Sequence, residues 1–451
     1  MNILLATYSF YPYSFGGTEV YVSGLAYFLM GQGHRVHIIA GMPPQAFNEH
    51  PIFYEDDQLK TIQYSNSGVY VTGVILKDET TGEIYKKYRP DWVNSWQAVL
   101  NKISMEPWDI IHLHAHTSAT GEALLRAVKN HSPVIKVMAS YHVPISCVKG
   151  TLLIGNSMKA CNVKPAVAIC TACFISSKQH WSLSFSKTIT ALMPPLHNEQ
   201  LPTTIRLKYL VKQFIDSFAA FNYLVNGWHV FSEQVKAILR LNGIEENKIF
   251  LLRHGVNPVF YKEKIKEEDE RINKKPVIFL YPSRAEKLKG FLTLLKAWCS
   301  LPERADSQLW ITGENQSNDK DIKTWIAVAA ARQDIKWIGV KTQEELAGIM
   351  SVVHCSLIPS EWLEIGPLVF HEAIAAGSNV IASDMGGCKE LSVIYPTGST
   401  LFEAGNPGSL AEKINAFIYK SPAEKPANSL ENYKQVLNSY TSHTAVHKIN
   451  N

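Results

Sequence analysis

Short apolar runs and amphipathic segments alternate twice along this chain, and one charged stretch separates the two series. The first series opens with "NILLAT", a Gly-rich turn "SFGGTE" and the amphipathic "VYVSGLAYFLMGQG". It continues through "RVHIIAG", "VYVTGVIL", "DIIHLH" and "VIKVMASYH", spaced by helical patterns such as "SATGEALLRAVKN", and ends with "GWHVFS", "EQVKAILRLNG" and "KIFLLRHG". The second series places "VIFLYPS", "SQLWITGE", "IKWIGV", "VVHCSLIPS" and "NVIASD" around helices such as "FLTLLKAW" and "TQEELAGIM". Short apolar runs bounded by turn signals read as buried strands. Their alternation with helices builds a parallel sheet covered on both faces. Between the series, "YKEKIKEEDERINKKP" is almost entirely charged and polar. It cannot form a core and reads as a linker or a solvated helix. The expectation is an α/β protein of two doubly wound domains facing across a cleft. The first covers 1–258, with an insertion at about 145–202, and a linker follows at 259–275. The second domain covers 276–415, and 416–451 is a polar helical tail. Ligands of such sheets sit at the carboxyl ends of the strands, so two sheets offer room for two substrates.

Composition narrows the class. Of 451 residues, 46% are hydrophobic and 19% charged, enough to bury large cores. A net charge of +4 lacks the dense basic surface of a nucleic-acid binder. No apolar run reaches the roughly 18 residues of a membrane span. "MNILLATYSF" has no basic n-region, so it reads as a strand and the expected location is the cytoplasm. Seven cysteines, an odd number, fit reduced thiols or a metal site better than a disulfide framework.

The stretch "EIGPLVFHE", Glu364 to Glu372, places two carboxylates around a helix start. Pro367 suits a first helical residue, and Gly377 suits the end. The amides of Gly366, Leu368 and Val369 would then face the ligand edge and suit an anion. Spacing alone reads Glu364 as a cap and Glu372 as a surface helix residue. Arg284 and Lys289 alone are ordinary surface charges, and the Gly16-Gly17 pair alone is an ordinary turn. "DKD", Asp319 to Asp321, precedes a helix and reads as cap and first-turn acids, not as a metal pair.

Together these stretches resemble a known family. "PSEWLEIGPLVFHEAIAAGSNVIASDMGG" looks like the donor-site motif of the retaining family 4 glycosyltransferases, which have the GT-B fold of two Rossmann-like domains. "YPSRAEKLKG" resembles the family's Arg-x4-Lys-Gly signature. "YPYSFGGTEVYVSGLAYFLMGQGHRVHII" is similar to its N-terminal turn and helix, and "HGVNPVFY" to its interdomain segment. The resemblance implies that Glu372 binds the ribose of a nucleotide sugar and Glu364 faces the donor sugar. It implies that Gly366, Leu368 and Val369 hold the diphosphate, that Arg284 and Lys289 stabilise its charge, and that Gly16 and Gly17 approach the phosphates. Its catalytic-region histidine corresponds best to His142, with His112, His114 and His116 as competitors. The implied reaction moves a sugar from a nucleotide-diphosphate sugar to a hydroxyl of a glycan or lipid-linked glycan, in polysaccharide or glycolipid assembly. It needs no catalytic cofactor. A sugar-nucleotide epimerase, a phosphorylase of similar architecture, for whose pyridoxal-phosphate lysine no clear motif is present, and a non-catalytic sugar- or nucleotide-binding protein are the rival readings.

Two features fall outside that set. Cys147, Cys161, Cys170 and Cys173 cluster in the insertion, the last two as C-x-x-C. Four such thiolates suit a structural zinc ion or an iron–sulfur cluster, with buried free thiols as the alternative. A similar insertion occurs in some bacterial members of the family. "IRLKYLVKQFIDSFAAFNYLV" reads as a buried domain helix, with peripheral membrane contact at the inner face as the competing use.

Overall fold

A computed structural model describes the chain except residues 78–89, 105, 118–119, 195–201, 203, 262–275, 314–316 and 420–451. The described chain divides into two compact units. One holds Met1–Ser157 and Cys161–Leu252, and the other continues from Arg253. Most of the expected linker and of the C-terminal tail lies outside the described residues.

The first unit is built on β1 (Asn2–Thr7), β2 (Arg35–Gly41), β3 (Ile52–Glu55), β4 (Leu59–Asn66), β5 (Val69–Leu76), β6 (Ile110–Leu113), β7 (Lys136–Ser140), β8 (Gly227–Val230) and β9 (Ile249–Leu251). They form one sheet in the order β3-β4-β5-β2-β1-β6-β7-β8-β9. Pairing is parallel except along β3-β4-β5. The chain reverses direction of winding between β1 and β6, which makes that edge the natural ligand edge. β1 and β6 are apolar and buried almost throughout, as a sheet covered on both faces requires.

The second unit holds β10 (Val277–Tyr281), β11 (Ser307–Ile311), β12 (Ile335–Trp337), β13 (Cys355–Ile358), β14 (Asn379–Ser383) and β15 (Ser399–Phe402). Every pair in the order β12-β11-β10-β13-β14-β15 is parallel. The winding reverses between β10 and β13, and the loops after these two strands carry Lys289 and Glu364.

Several helices follow from local chemistry. Asp319 caps Lys320–Ala330 by accepting from the amides of Asp321 (2.9 Å) and Ile322 (3.1 Å), the role its position suggests. Thr342 and Glu345 close a reciprocal capping box on Gln343–Met350. The helix Leu207–Leu224 buries Leu207, Leu210, Val211, Phe214, Phe218, Phe221 and Leu224. This stripe at helical spacing packs inside the first unit, so it is a domain helix and its apolar face is already used.

The chain between Tyr281 and Phe291 depends on one glycine. Gly290 has φ +69°, and a Cβ there would stand 1.6 Å from the carbonyl oxygen of Pro359. The buried Tyr281 hydroxyl steadies the same turn by donating to the Arg284 carbonyl at 2.7 Å. Gly243 offers a contrast, with φ +83° and open space around its missing Cβ. Gly243→Ala should therefore cost about 1 kcal/mol, the left-handed backbone strain alone. Gly290→Ala should cost roughly 3 kcal/mol or more, because backbone must move as well. Urea unfolding of both variants checks this; equal losses would show that the Pro359 contact yields freely.

Candidate functional site

The second unit gathers Lys289, Ser360, Trp362 and Glu364 at the carboxyl ends of β10 and β13. Glu364 is 6% exposed. Its Oε1 accepts from Lys289 Nζ at 2.9 Å and from the Ser360 hydroxyl at 2.6 Å. Lys289 Nζ also lies 4.8 Å from the centre of the Trp362 ring. Burial pushes the Glu364 carboxyl up, but the Lys289 charge and the Ser360 hydroxyl outweigh it and hold the carboxyl below its ordinary value. Glu364 is thus an ionised, oriented carboxylate. Arg284 is separate from this group: it is exposed and pairs with Glu286 at 3.2 Å.

The loop through Glu364 is held from its other side by Gly386 and Gly387. Gly387 N–H donates to the Glu364 carbonyl at 2.6 Å. A Cβ on Gly386, at φ +56°, would meet that carbonyl oxygen at 2.6 Å, and one on Gly387 would meet Pro367 Cδ at 2.9 Å. The two glycines therefore let the helix Gly386–Ile394 approach backbone to backbone. No motif in the sequence marks this role.

The helix expected from Pro367 runs over Leu368–Ala375, one residue later than expected, with Pro367 as its N-cap in extended conformation. The ψ of 106° at Pro367 keeps it outside the helix. Gly377 ends it at φ +80°, its N–H donating to Ile374. The amides of Gly366, Leu368 and Val369 find no acceptor among the described residues. One turn on, Glu372 is 6% exposed, and no hydrogen bond or ion pair reaches its carboxylate among the described residues. Burial pushes its pKa up to about 7. Both acids are buried, contrary to the cap and surface roles that spacing alone suggests.

In the first unit, His142 follows the end of β7. Its Nε2 lies 3.0 Å from Nδ1 of His114, which follows β6. The His142 ring packs against both Tyr21, 4.9 Å away, and Phe231, 4.7 Å away, which also touch each other at 5.5 Å. His112 and His229 extend the group inward, their ring centres 4.7 Å apart, and His112 Nε2 meets the Ser140 hydroxyl at 2.7 Å. Burial and then the neighbouring imidazole of His229 push His142 down to about 3. His112 and His114 are also driven well below the ordinary value, by burial first and by each other's neighbours second. His116 instead stacks on Phe221 with ring centres 4.1 Å apart.

Gly16 is the N-cap of the helix Gly17–Gly31, with φ −96°. Its missing Cβ leaves room for Glu19, whose Oε2 would stand 2.5 Å from that atom. Glu19 is buried and accepts from the hydroxyls of Ser9 and Ser14. The sequence reading passed over Glu19 because one acid in an apolar helix carries no motif.

The four insertion cysteines lie along one loop and the helix Val167–Gln179. Gly150 N–H bonds to the Cys147 carbonyl at 2.9 Å, and Cys161 N–H to the Leu152 carbonyl at 2.7 Å. Gly155 N–H donates to Cys173 Sγ at 3.2 Å. All four are free thiols. Among the described residues, no group of three or more His, Cys, Asp or Glu stands where it could hold a metal ion. The zinc or iron–sulfur site expected on Cys147, Cys161, Cys170 and Cys173 is therefore unsupported. Backbone hydrogen bonds hold this loop. No described helix is long and apolar enough to cross a membrane.

Residues 15–162 match Glycosyltransferase Family 4, and residues 262–436 match Glycosyl transferases group 1. The chain is 28% identical over 169 residues to spore coat protein SA of Bacillus subtilis, covering 36% of this chain and 44% of that protein. It is 28% identical over 145 residues to the lipopolysaccharide 1,2-N-acetylglucosaminetransferase of Salmonella typhimurium, covering 31% of this chain and 38% of that protein. The matched regions thus span less than half the length of these curated relatives. Among solved structures, sucrose-phosphate synthase of Thermosynechococcus elongatus superposes with a TM-score of 0.57 at 18% identity, covering 93% of this chain and 90% of that one. The Anabaena protein HepE in complex with UDP and glucose superposes with a TM-score of 0.57 at 14% identity, covering 99% of each chain. These likenesses establish the fold, two Rossmann-like domains of GT-B type.

Lys289→Met would leave Glu364 buried without its cation. We expect a loss of about 3 kcal/mol at pH 7. The wild-type ion pair contributes above the ordinary carboxylate pKa, and that contribution is lost as pH falls through the depressed value of Glu364. The variant's deficit should therefore shrink toward pH 4, and adding Glu364→Gln should recover part of it. Urea unfolding across that range checks this, and a deficit that ignores pH would rule out the ion pair as its source.

Proposed function

We propose that this chain, which carries a family 4-like glycosyltransferase domain followed by a group 1 domain, is a retaining glycosyltransferase. Its reaction would move a sugar from a nucleotide-diphosphate sugar to a hydroxyl acceptor in polysaccharide or glycolipid assembly. The observation that carries this reading is Glu372, a buried carboxylate without a partner among the described residues, beside a helix start with unbonded amides. A diphosphate suits those amides and the positive end of the helix dipole. Two ribose hydroxyls would give Glu372 the hydrogen bonds that burial has removed.

The other groups divide the remaining work. Glu364, kept ionised by Lys289, would accept hydrogen bonds from the donor sugar. Lys289 and Arg284 would offset the charge that develops as the diphosphate leaves. The acceptor oxygen bonds to the anomeric carbon on the face from which the diphosphate departs. The bond from that carbon to the phosphate oxygen breaks, and the acceptor proton passes to the departing oxygen. The protein's part is positioning and charge stabilisation. His142 would orient the donor sugar.

Titration calorimetry with UDP, GDP, ADP and their common sugar conjugates tests the donor site. UDP is the first choice because HepE, a structural neighbour, is solved with it. We expect one nucleotide to bind and Glu372→Gln to weaken it at least about tenfold. Hydroxyl donors favour the ionised Glu372, whose free value is about 7. Binding below that pH must release a proton, so affinity should fall by up to about tenfold per pH unit there. The heat should also vary with the buffer's ionisation enthalpy, and Glu372→Gln should abolish both effects. No nucleotide binding, or unchanged affinity in the variant, would return the chain to a binding protein of another kind. Once a donor and acceptor are known, the anomeric coupling in the product's NMR spectrum should match the donor's configuration. An inverted product would overturn retention.

A further inference from the structure

His142 and His114 share one hydrogen bond, and a neutral pair has one proton to place in it. The contact joins His142 Nε2 to His114 Nδ1 at 3.0 Å. The far nitrogen of His114, Nε2, is buried with no partner among the described residues. His114 itself is 0% exposed. If His142 supplied the proton, His114 would carry its own on Nε2, as a buried N–H with no acceptor. If His114 supplies it, its Nε2 is a bare lone pair. Orphaned buried donors are rarer in proteins than under-used acceptors. The second arrangement is the favoured one.

We infer that His114 is a positioning residue that fixes the tautomer of His142. His114 Nδ1–H donates to His142 Nε2, so neutral His142 carries its proton on Nδ1. The nitrogen a histidine presents is set by the bond its other nitrogen makes. In this tautomer the second ring nitrogen of His142 acts as a hydrogen-bond donor and not as a proton acceptor. It would recognise an oxygen lone pair, such as that of a sugar hydroxyl or a phosphate. The surroundings support this state. Among the described residues, His114 and Tyr21 lie in ring contact with His142, and His112 and His229 stand next in the group. None of these is an acid that would favour imidazolium. The inference rests on the glycosyltransferase reading only for what His142 donates to.

Selective 15N-histidine labelling with long-range 1H–15N correlation reads the tautomer directly in the full chain without ligand. Loss of a signal set in His142→Gln assigns it. The expected wild-type spectrum shows a protonated Nδ1 and a bare Nε2 for His142. His114→Phe keeps a ring of similar size but removes the donor, and should shift His142 mainly to the Nε2–H form. His114→Asn keeps an N–H near the Nδ1 position and should restore the wild-type pattern. A role confined to packing would leave the tautomer unmoved in His114→Phe. An Nε2–H signal for wild-type His142, or an unchanged pattern in His114→Phe, overturns the inference. The wild-type spectrum decides even where His114→Phe fails to fold. With a donor sugar in hand, His114→Phe should weaken its binding about tenfold and His114→Asn should not. If no nucleotide sugar binds, the glycosyltransferase reading falls while the tautomer result stands on its own.

Discussion

The second unit's site depends on how closely two loops from neighbouring parallel strands approach. β10 and β13 pair side by side, so their following loops leave the sheet at one edge. Gly290 lets the Lys289 turn lie against the Pro359 carbonyl. That approach brings Lys289 within 2.9 Å of Glu364. A side chain at position 290 would hold the cation away and leave a buried carboxylate unpaired. Gly386 and Gly387 impose the same kind of contact from β14's side. Three glycines thus set the position of one carboxylate, and the burial of that carboxylate makes the lysine necessary. The desolvation of such a pair is costly. The Ser360 hydroxyl and the Trp362 ring face add the further contacts that offset it.

The two acids of one short motif end up in opposite electrostatic states. Glu364 has a cation and a hydroxyl, and remains ionised. Glu372 has neither, and burial alone moves it toward neutrality near pH 7. Environments that push two carboxylates apart assign them different work. The first is a fixed negative group in the free protein. The second gains by ionising only when hydroxyl donors arrive, which suits a carboxylate whose partner is the ligand.

Much of this was legible in the sequence. The apolar runs named the parallel strands of both sheets except β15, because a strand buried on two faces must be apolar at nearly every position, and "STLF" at the sheet's edge is only partly buried. Glu364, Glu372 and Lys289 stood out because a motif kept their order. The antiparallel β3 and β4 did not stand out. "IFYE" is half-exposed, and "LKTIQYSN" mixes polar with apolar residues because it lies near the sheet's edge. The helix Val167–Gln179 also escaped notice, since it buries only Thr171, Ala172, Ile175 and Ser176 and shows no clear apolar stripe. Glu19, Gly386 and the His114–His142 contact share one reason for being missed. Gly386 and the two histidines act on residues remote in sequence, and Glu19 on hydroxyls of the preceding turn, and neither periodicity nor spacing reports such contacts.

The histidines complete the electrostatic picture. A carboxylate beside His142 would favour imidazolium, and a positive charge would follow. Here the neighbours are other imidazoles, which repel a proton instead of attracting one. His112 and His114 can therefore stay neutral beside His142, provided their hydrogen bonds are shared out. The price of neutrality is a fixed assignment of donors and acceptors along the chain of rings.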